Sequence, residues 1–179
     1  DVDSTIGPAA VTIESLSIRE VIASPTNVAD GFVEGDFSRT AGLTGDGATT
    51  HLDSGRAGNA DPRNDAHAAV YGTTLTQSTN WLGGEGASTK NVALSWYSPY
   101  FYHNRNMTNP GNQRTSTSFV SSGFAGVSRS GSTSTSARYG GTTHIDSTAS
   151  SSPSSYSPFV FAYSDAGVAS DHSDATLSF

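Results

Sequence analysis

Cysteine does not occur in this 179-residue chain, so disulfide bonds and zinc or redox sites built on thiolates are excluded. Lysine occurs once, at Lys90, and methionine once, at Met107. No apolar run approaches the roughly 20 residues that a membrane-spanning helix requires. No signal peptide is visible and the chain starts at Asp1, so we expect a processed or trimmed N-terminus.

Basic residues are few and scattered. Lysine and arginine total 9 against 16 aspartates and glutamates, which gives a formal net charge of −7. Phosphate groups and anionic membranes are recognised by clustered Lys and Arg, so we expect no nucleic-acid partner and no direct membrane insertion. The scarcity of lysine beside a preference for Arg and Asp is typical of a salt-loving organism with a GC-rich genome. GC bias combined with low total charge explains it equally well.

The composition favours strands over helices. Hydrophobic residues make up 34% of the chain, glycine contributes 19 residues, and serine with threonine exceeds a quarter of all positions. Ser, Thr and Gly are weaker helix formers than Ala, Leu, Glu or Lys, and they suit short strands joined by polar loops. The length suits one domain spanning residues 1–179.

Period-two alternation of apolar residues locates the strands. The clearest strand covers residues 92–97, and Pro99 ends it or places it at a sheet edge. Further strands are expected near residues 11–18, 32–37, 70–77, 117–120, 124–127, 139–146, 159–163 and 175–179, with a short helix over 13–22 as an alternative for the first. The expected core consists of Val92, Leu94, Trp96, Phe159, Phe161 and Tyr163. Long polar loops are expected at 42–64, 104–114 and 147–157, a glycine-rich turn at 81–88, and an exposed polar strand or loop at 128–137.

These elements predict an all-β fold. About eight strands, without helices alternating between them and without a repeat of fixed period, favour an antiparallel two-sheet sandwich. Eight strands with long loops favour a single jelly roll over an immunoglobulin-type sandwich, whose Cys–Trp–Cys framework is missing.

No motif in the sequence specifies a reaction. The histidines show none of the close spacings of metal sites, and we expect them at solvent-exposed loop positions. Loop aspartates could hold an incidental calcium or sodium ion, or could simply keep the surface soluble: Asp61, Asp65, Asp165, Asp171 and Asp174. The Gly-x-Ser-x-Gly elbow of serine hydrolases is missing. We therefore expect no enzyme, no cofactor, no catalytic residue and no dedicated metal site.

The densest aromatic stretch runs from residue 96 to residue 103. The residues expected to form an interface are Trp96, Tyr97, Tyr100, Phe101 and Tyr102. Alternation places about half of the stretch in the core and leaves the three tyrosines as the exposed members. Exposed Tyr and Trp mark subunit interfaces and sugar-stacking platforms. Packing of these aromatics beneath a loop is the alternative.

In size, Lys-poor acidic composition, lack of cysteine and expected strand number, the chain resembles the small single-jelly-roll capsid proteins of icosahedral viruses of halophilic archaea. The resemblance implies a structural virion protein, a capsid, coat or decoration subunit, that assembles with copies of itself and with a sister coat protein. Contacts would come from edge strands, the aromatic stretch and the loops at 42–64 and 104–114, with the segments at 128–137 and 147–157 facing solvent or a neighbour. A secreted or cell-surface module that binds carbohydrate is the alternative, and an enzyme is a third possibility.

Overall fold

The computed structural model describes residues 31–86, 89–108 and 114–178. In these ranges the chain is all-β, with two antiparallel sheets packed as a sandwich, as the composition and alternation predicted. The strand or helix expected within residues 11–22 lies outside the described residues. Two 3-10 helices, Glu34–Asp36 and Gly58–Ala60, are the helical elements of the described ranges, and neither is long and apolar enough to cross a membrane.

One sheet has seven strands, which are numbered along the chain. Its spatial order is β1 (Phe37–Ser38), β2 (Gly42–Thr44), β15 (Thr176–Ser178), β4 (Ala66–Thr74), β9 (Gly123–Arg129), β10 (Thr135–Tyr139) and β11 (Thr142–Asp146). All neighbouring strands in this sheet are antiparallel.

The other sheet has eight strands. Its main path is β14 (Val168–Ser170), β13 (Tyr163–Asp165), β5 (Thr79–Gly86), β6 (Thr89–Tyr97), β7 (Tyr100–Thr108) and β8 (Arg114–Ser116), while β12 (Phe159–Val160) pairs with β5 and with β3 (Leu52–Asp53). The pairing of β13 with β5 is parallel, and the other pairings are antiparallel. Consecutive meanders, β5 to β8 and β9 to β11, supply most of the sandwich, and the single jelly roll is not confirmed.

An aromatic stack fills the centre of the sandwich. The ring of Phe101 lies 4.5 Å from that of Tyr139 and 6.3 Å from that of Trp81, measured between centroids. The Tyr139 hydroxyl donates to the carbonyl of Val120 and accepts from its N–H, so this buried phenol is fully paired. All six expected core residues are buried. Two of the six lie outside the central hydrophobic cluster that contains the aromatic stack: Phe159 packs against His51, and Tyr163 packs against Gly83.

The prediction of a glycine-rich turn at residues 81–88 is wrong. Residues 79–86 form β5, which lies between β6 and the pair β12 and β13. A Cβ atom on Gly83 would lie 2.5 Å from the Tyr163 ring, and one on Gly84 would lie 2.7 Å from the Cα of Pro158. These glycines therefore serve close packing on the sheet and not a turn.

Other differences follow from local backbone geometry. The expected strand at 159–163 is interrupted at Phe161, whose φ of +65° turns the chain between the antiparallel β12 and the parallel β13. Residues 139–146 contain a hairpin turn at Gly140 and Gly141, both with positive φ, between β10 and β11. Strand β7 extends into the expected loop at 104–114, and β2 and β3 lie within the expected loop at 42–64. The prediction of a strand at 117–120 is wrong, since the strand in this region, β8, ends at Ser116. Strand β6 ends before Pro99, as expected, but is flanked by β5 and β7 and is not an edge.

Candidate functional site

Strands β6 and β7 separate the aromatic stretch into two faces. Trp96 is 4% exposed and Phe101 is 0% exposed, and both point into the sandwich. Both residues belong to the core, so a partner cannot contact their side chains unless the two sheets separate. Tyr97, Tyr100 and Tyr102 are half-buried on the outward face of the eight-stranded sheet. A subunit or ligand contact at this stretch therefore remains a prediction, and of its five residues only the three tyrosines are accessible.

A groove of about 320 Å³ runs over this outward face, and we call it the tyrosine groove. Its lining residues are Asn80, Ala93, Ser95, Tyr97, Tyr102, Asn104, Tyr163 and Asp171. The floor comes from the register of three strands, because Asn80 of β5 pairs with Ser95 of β6, and Ala93 of β6 pairs with Asn104 of β7. Small side chains on β6 thus form a trough between two asparagines.

Hydrogen bonds and ring contacts fix one side of the groove. The Asn80 Nδ2 atom donates to the Tyr97 hydroxyl at 3.1 Å, and the rings of Tyr97 and Tyr102 meet edge to face, 5.8 Å apart. The Arg114 guanidinium lies 4.4 Å from the centre of the Tyr100 ring, a cation–π contact. Burial, and secondarily the negative charge of Asp171, raise the pKa of Tyr97, so its phenol stays neutral.

The opposite side of the groove depends on the glycine of β5. Tyr163 pairs with Gly83 in the parallel pairing, and its ring occupies the space that a side chain at that position would fill. Asp171, an exposed residue with a φ of +47°, carries a carboxylate to the rim. The groove therefore combines phenols, amides and a hydroxyl with one negative charge.

The seven-stranded sheet has an incomplete edge. Residues 66–70 of β4 pair with β9 on one side. On the other side, β15 pairs with β4 only from Tyr71 to Thr74. Within the described ranges no strand lies along the remainder of that side, which we call the β4 edge. Its sequence, Ala-His-Ala-Ala-Val, holds no Lys, Asp, Glu or Pro, the residues by which proteins usually protect an edge from pairing.

An apolar cleft of about 200 Å³, which we call the edge cleft, lies beside the β4 edge. Its lining residues are Ala69, Val70, Tyr71, Leu82, Phe124, Val160, Leu177 and Ser178. Tyr71 and Phe124 are directly opposed across the β4–β9 pairing and are 53% and 47% exposed. An apolar cleft continuous with an unprotected strand edge is typical of an association surface.

Buried arginines anchor loops at one end of the sandwich. Arg129 is fully buried, and its guanidinium donates to the carbonyl oxygens of Arg105, Gly131, Ser132 and Thr148 at 2.8–3.3 Å. Arg105 donates to Asp61 at 2.6 Å. Hydrogen bonding from Arg56, followed by the charge of Arg105, holds the pKa of Asp61 below its usual value. These contacts give Arg129, Arg105 and Asp61 structural roles.

His103 contradicts the expectation that the histidines lie in solvent. It is buried on the inward face of β7, where its Nε2 atom lies 3.1 Å from the Thr115 hydroxyl. Burial lowers the pKa of His103 to about 4, despite the opposing influence of Asp146. The imidazole is therefore neutral at pH 7.

The described residues contain no group of three or more His, Asp or Glu side chains that could hold a metal ion. The rings of His51 and His172 lie 5.8 Å apart between centres. Asp61, one of the loop aspartates considered for a cation, is paired with Arg56 and Arg105.

Sequence reasoning identified the tyrosines but missed the polar members of the groove. Asn104 continues the outward alternation of Tyr100 and Tyr102, a signal that the assignment of residue 104 to a loop concealed. Asn80 and Tyr163 meet the groove only through the pairing of β5 with β6 and β13, which one sequence does not reveal.

Comparison of the chain with protein-family models, with curated proteins and with solved structures gives no match in any of the three.

Proposed function

We propose that this protein is a structural assembly subunit, of the kind that builds a virion coat, without an enzymatic role. The observation that carries the proposal is the β4 edge beside the edge cleft. A sheet edge without charge or proline is a template for pairing with another chain, and the exposed Tyr71 and Phe124 extend the apolar area next to it.

The proposed partner at this edge is a second copy of the chain. Two copies of residues 66–70 can pair antiparallel about a two-fold axis, so that one segment meets its own counterpart. The small, uncharged side chains of Ala66, Ala68 and Ala69 allow this approach without repulsion. Such an isologous contact closes at a dimer. A shell needs another contact, with a further copy or with a sister coat protein, and we place it at the terminal strand β11, where Ile145 is 83% exposed.

Sedimentation velocity of the full chain over a range of concentrations tests the proposal. We expect reversible self-association, and negative-stain microscopy should show discrete oligomers or shell fragments. Tyr71→Ala should weaken the association about tenfold, as expected for an aromatic residue at an interface. The matched control is Tyr102→Ala, a tyrosine on the other sheet, which should leave the association unchanged.

Because the chain has no cysteine, single-cysteine variants locate the contact directly. Of His67→Cys, Ala68→Cys and Ala69→Cys, at least one should form a disulfide-linked dimer under mild oxidation, since opposed residues in an antiparallel pair lie within disulfide reach. Arg138→Cys, at an exposed position on β10, is the control. A monomer at every concentration, without dimers from any of the three variants, would overturn the proposal. Protection from hydrogen exchange, in a monomer, of those amides of residues 66–70 that point away from β9 would do the same, because the edge would then be covered by the chain itself.

A further inference from the structure

We infer that the tyrosine groove binds a neutral carbohydrate, at a site separate from the assembly contact. The groove lies on the outward face of the eight-stranded sheet, and the β4 edge belongs to the seven-stranded sheet. The two sites share no residue. The inference therefore stands or falls independently of self-association.

The lining of the groove matches both kinds of surface that a sugar presents. A pyranose ring has apolar C–H faces and a hydroxyl-bearing rim. Tyr97, Tyr102 and Tyr163 supply aromatic surface for the faces, and Asn80, Ser95 and Asn104 supply amide and hydroxyl groups for the rim. An amide side chain both donates and accepts, as a sugar hydroxyl does, so the two are well matched.

The polar groups of the groove are held in place before any ligand arrives. Asn80, Ser95 and Asn104 are all more than nine-tenths buried, and each lies on a strand flanked by other strands. The hydrogen bond from Asn80 to Tyr97 orients one amide against one wall. Groups that are already ordered lose little entropy on binding, which favours affinity for a weakly interacting ligand.

Charge and size narrow the class of ligand. Asp171 places a carboxylate at the rim of the groove, and the chain carries a net charge of −7, both of which disfavour phosphates and other anions. Arg114, which stacks on the Tyr100 ring and donates to the Tyr102 hydroxyl at 3.5 Å, is not among the lining residues. A volume of about 320 Å³ lies near the lower limit for small-molecule sites and accommodates roughly one or two sugar units.

The test is NMR titration of the full chain with neutral and acidic oligosaccharides: maltohexaose, cellohexaose, xylohexaose, mannohexaose and, as the acidic member, hexagalacturonate. Tryptophan fluorescence would be a poor reporter, because Trp81 and Trp96 both lie in the core. We expect at least one neutral oligosaccharide to shift amide resonances at Ala93, Ser95 and Tyr102, with a Kd of about 1 mM or lower. If the corresponding monosaccharide binds equally well, the ligand is a free sugar. If only the oligosaccharide binds, the ligand is a sugar polymer such as a surface polysaccharide.

Two variants provide a reciprocal control. Tyr102→Ala should weaken sugar binding about tenfold, since it removes one aromatic wall, and should leave self-association intact. Tyr71→Ala should weaken self-association and leave sugar binding intact. If circular dichroism shows that Tyr102→Ala does not fold, the resonance shifts of the unmodified protein still test whether the groove binds a sugar. The inference is overturned if no neutral oligosaccharide shifts the groove amides, if only the acidic one does, or if folded Tyr102→Ala binds as tightly as the parent.

Discussion

The outward faces of the two sheets differ in kind. On the eight-stranded sheet, strands flanked on both sides present a trough with a polar floor and tyrosine walls. On the seven-stranded sheet, one side of β4 is only partly paired among the described residues, and beside it lies an apolar cleft with two exposed aromatic rings. A closed polar trough suits a small hydroxylated ligand, whereas an open strand edge suits another polypeptide.

The difference arises from how each aromatic residue is held. Tyr97, Tyr100 and Tyr102 contact one another or Asn80 and Arg114, and so their positions are fixed by several partners. Phe124 instead lies over the glycine at position 126 and is about half exposed. Fixed rings favour specific recognition, and rings free to adjust favour broad apolar contact.

Acid should weaken both surfaces at once, because it destabilises the interior that they share. The pKa of His103 is about 4 in the folded chain, against about 6.5 when unfolded, so the unfolded state binds the proton more readily. Its contribution to stability is complete above about pH 6.5 and is lost as the pH falls toward 4. The free energy of unfolding should drop by about 3 kcal/mol across this window. Urea unfolding between pH 7 and pH 4.5 measures most of it.

The variant His103→Gln should flatten this pH dependence. His172→Gln is the control, since burial also lowers the pKa of the half-buried His172, but to a smaller extent. A pH slope that survives in His103→Gln would assign the acid sensitivity to another group.

A matched pair of glycine substitutions sharpens the comparison between the faces. A Cβ atom at Gly83 would lie 2.5 Å from the Tyr163 ring, and one at Gly126 would lie 2.7 Å from the Phe124 ring. Tyr163 is buried and belongs to a paired strand, so Gly83→Ala should destabilise the fold by about 2 kcal/mol. Phe124 can rotate into solvent, so Gly126→Ala should change stability by less than about 0.5 kcal/mol.

Chemical denaturation of both glycine variants, at one pH, provides the measurement. Gly83→Ala should also perturb the groove, because Tyr163 forms one of its walls. Equal destabilisation by the two substitutions would show that the two rings are equally constrained.

The sequence predicted the fold class and the clearest strand, β6, because these depend on local alternation. Val92, Leu94 and Trp96 alternate with polar or small residues, and the structure places all three in the core. Trp96 and Phe101, expected at an interface, are buried for the same reason: alternation assigns them to the inward face. A parity rule applied through residue 104 would also have placed Asn104 beside the tyrosines.

Features that depend on distant partners could not be read from one sequence. Gly83 and Gly84 look like turn residues until Tyr163 and Pro158 are known to cover them. The burial of His103 depends on the packing of the two sheets, and the β4 edge depends on where β15 ends. Nothing in the local sequence around these residues records the position of the other segment.

The smallest expected effect lies within the tyrosine groove itself. Tyr97→Phe removes the hydroxyl that accepts a hydrogen bond from Asn80, whose amide is buried and would be left without this partner. The cost should be about 1 kcal/mol in the free energy of unfolding. Tyr100→Phe is the control, because Tyr100 is held through its ring by Arg114 and Tyr102, and its cost should stay below about 0.5 kcal/mol. If the two variants are equally stable, the Asn80–Tyr97 bond does not order the groove, and the distinction between fixed and adjustable aromatic surfaces would rest on ring packing alone.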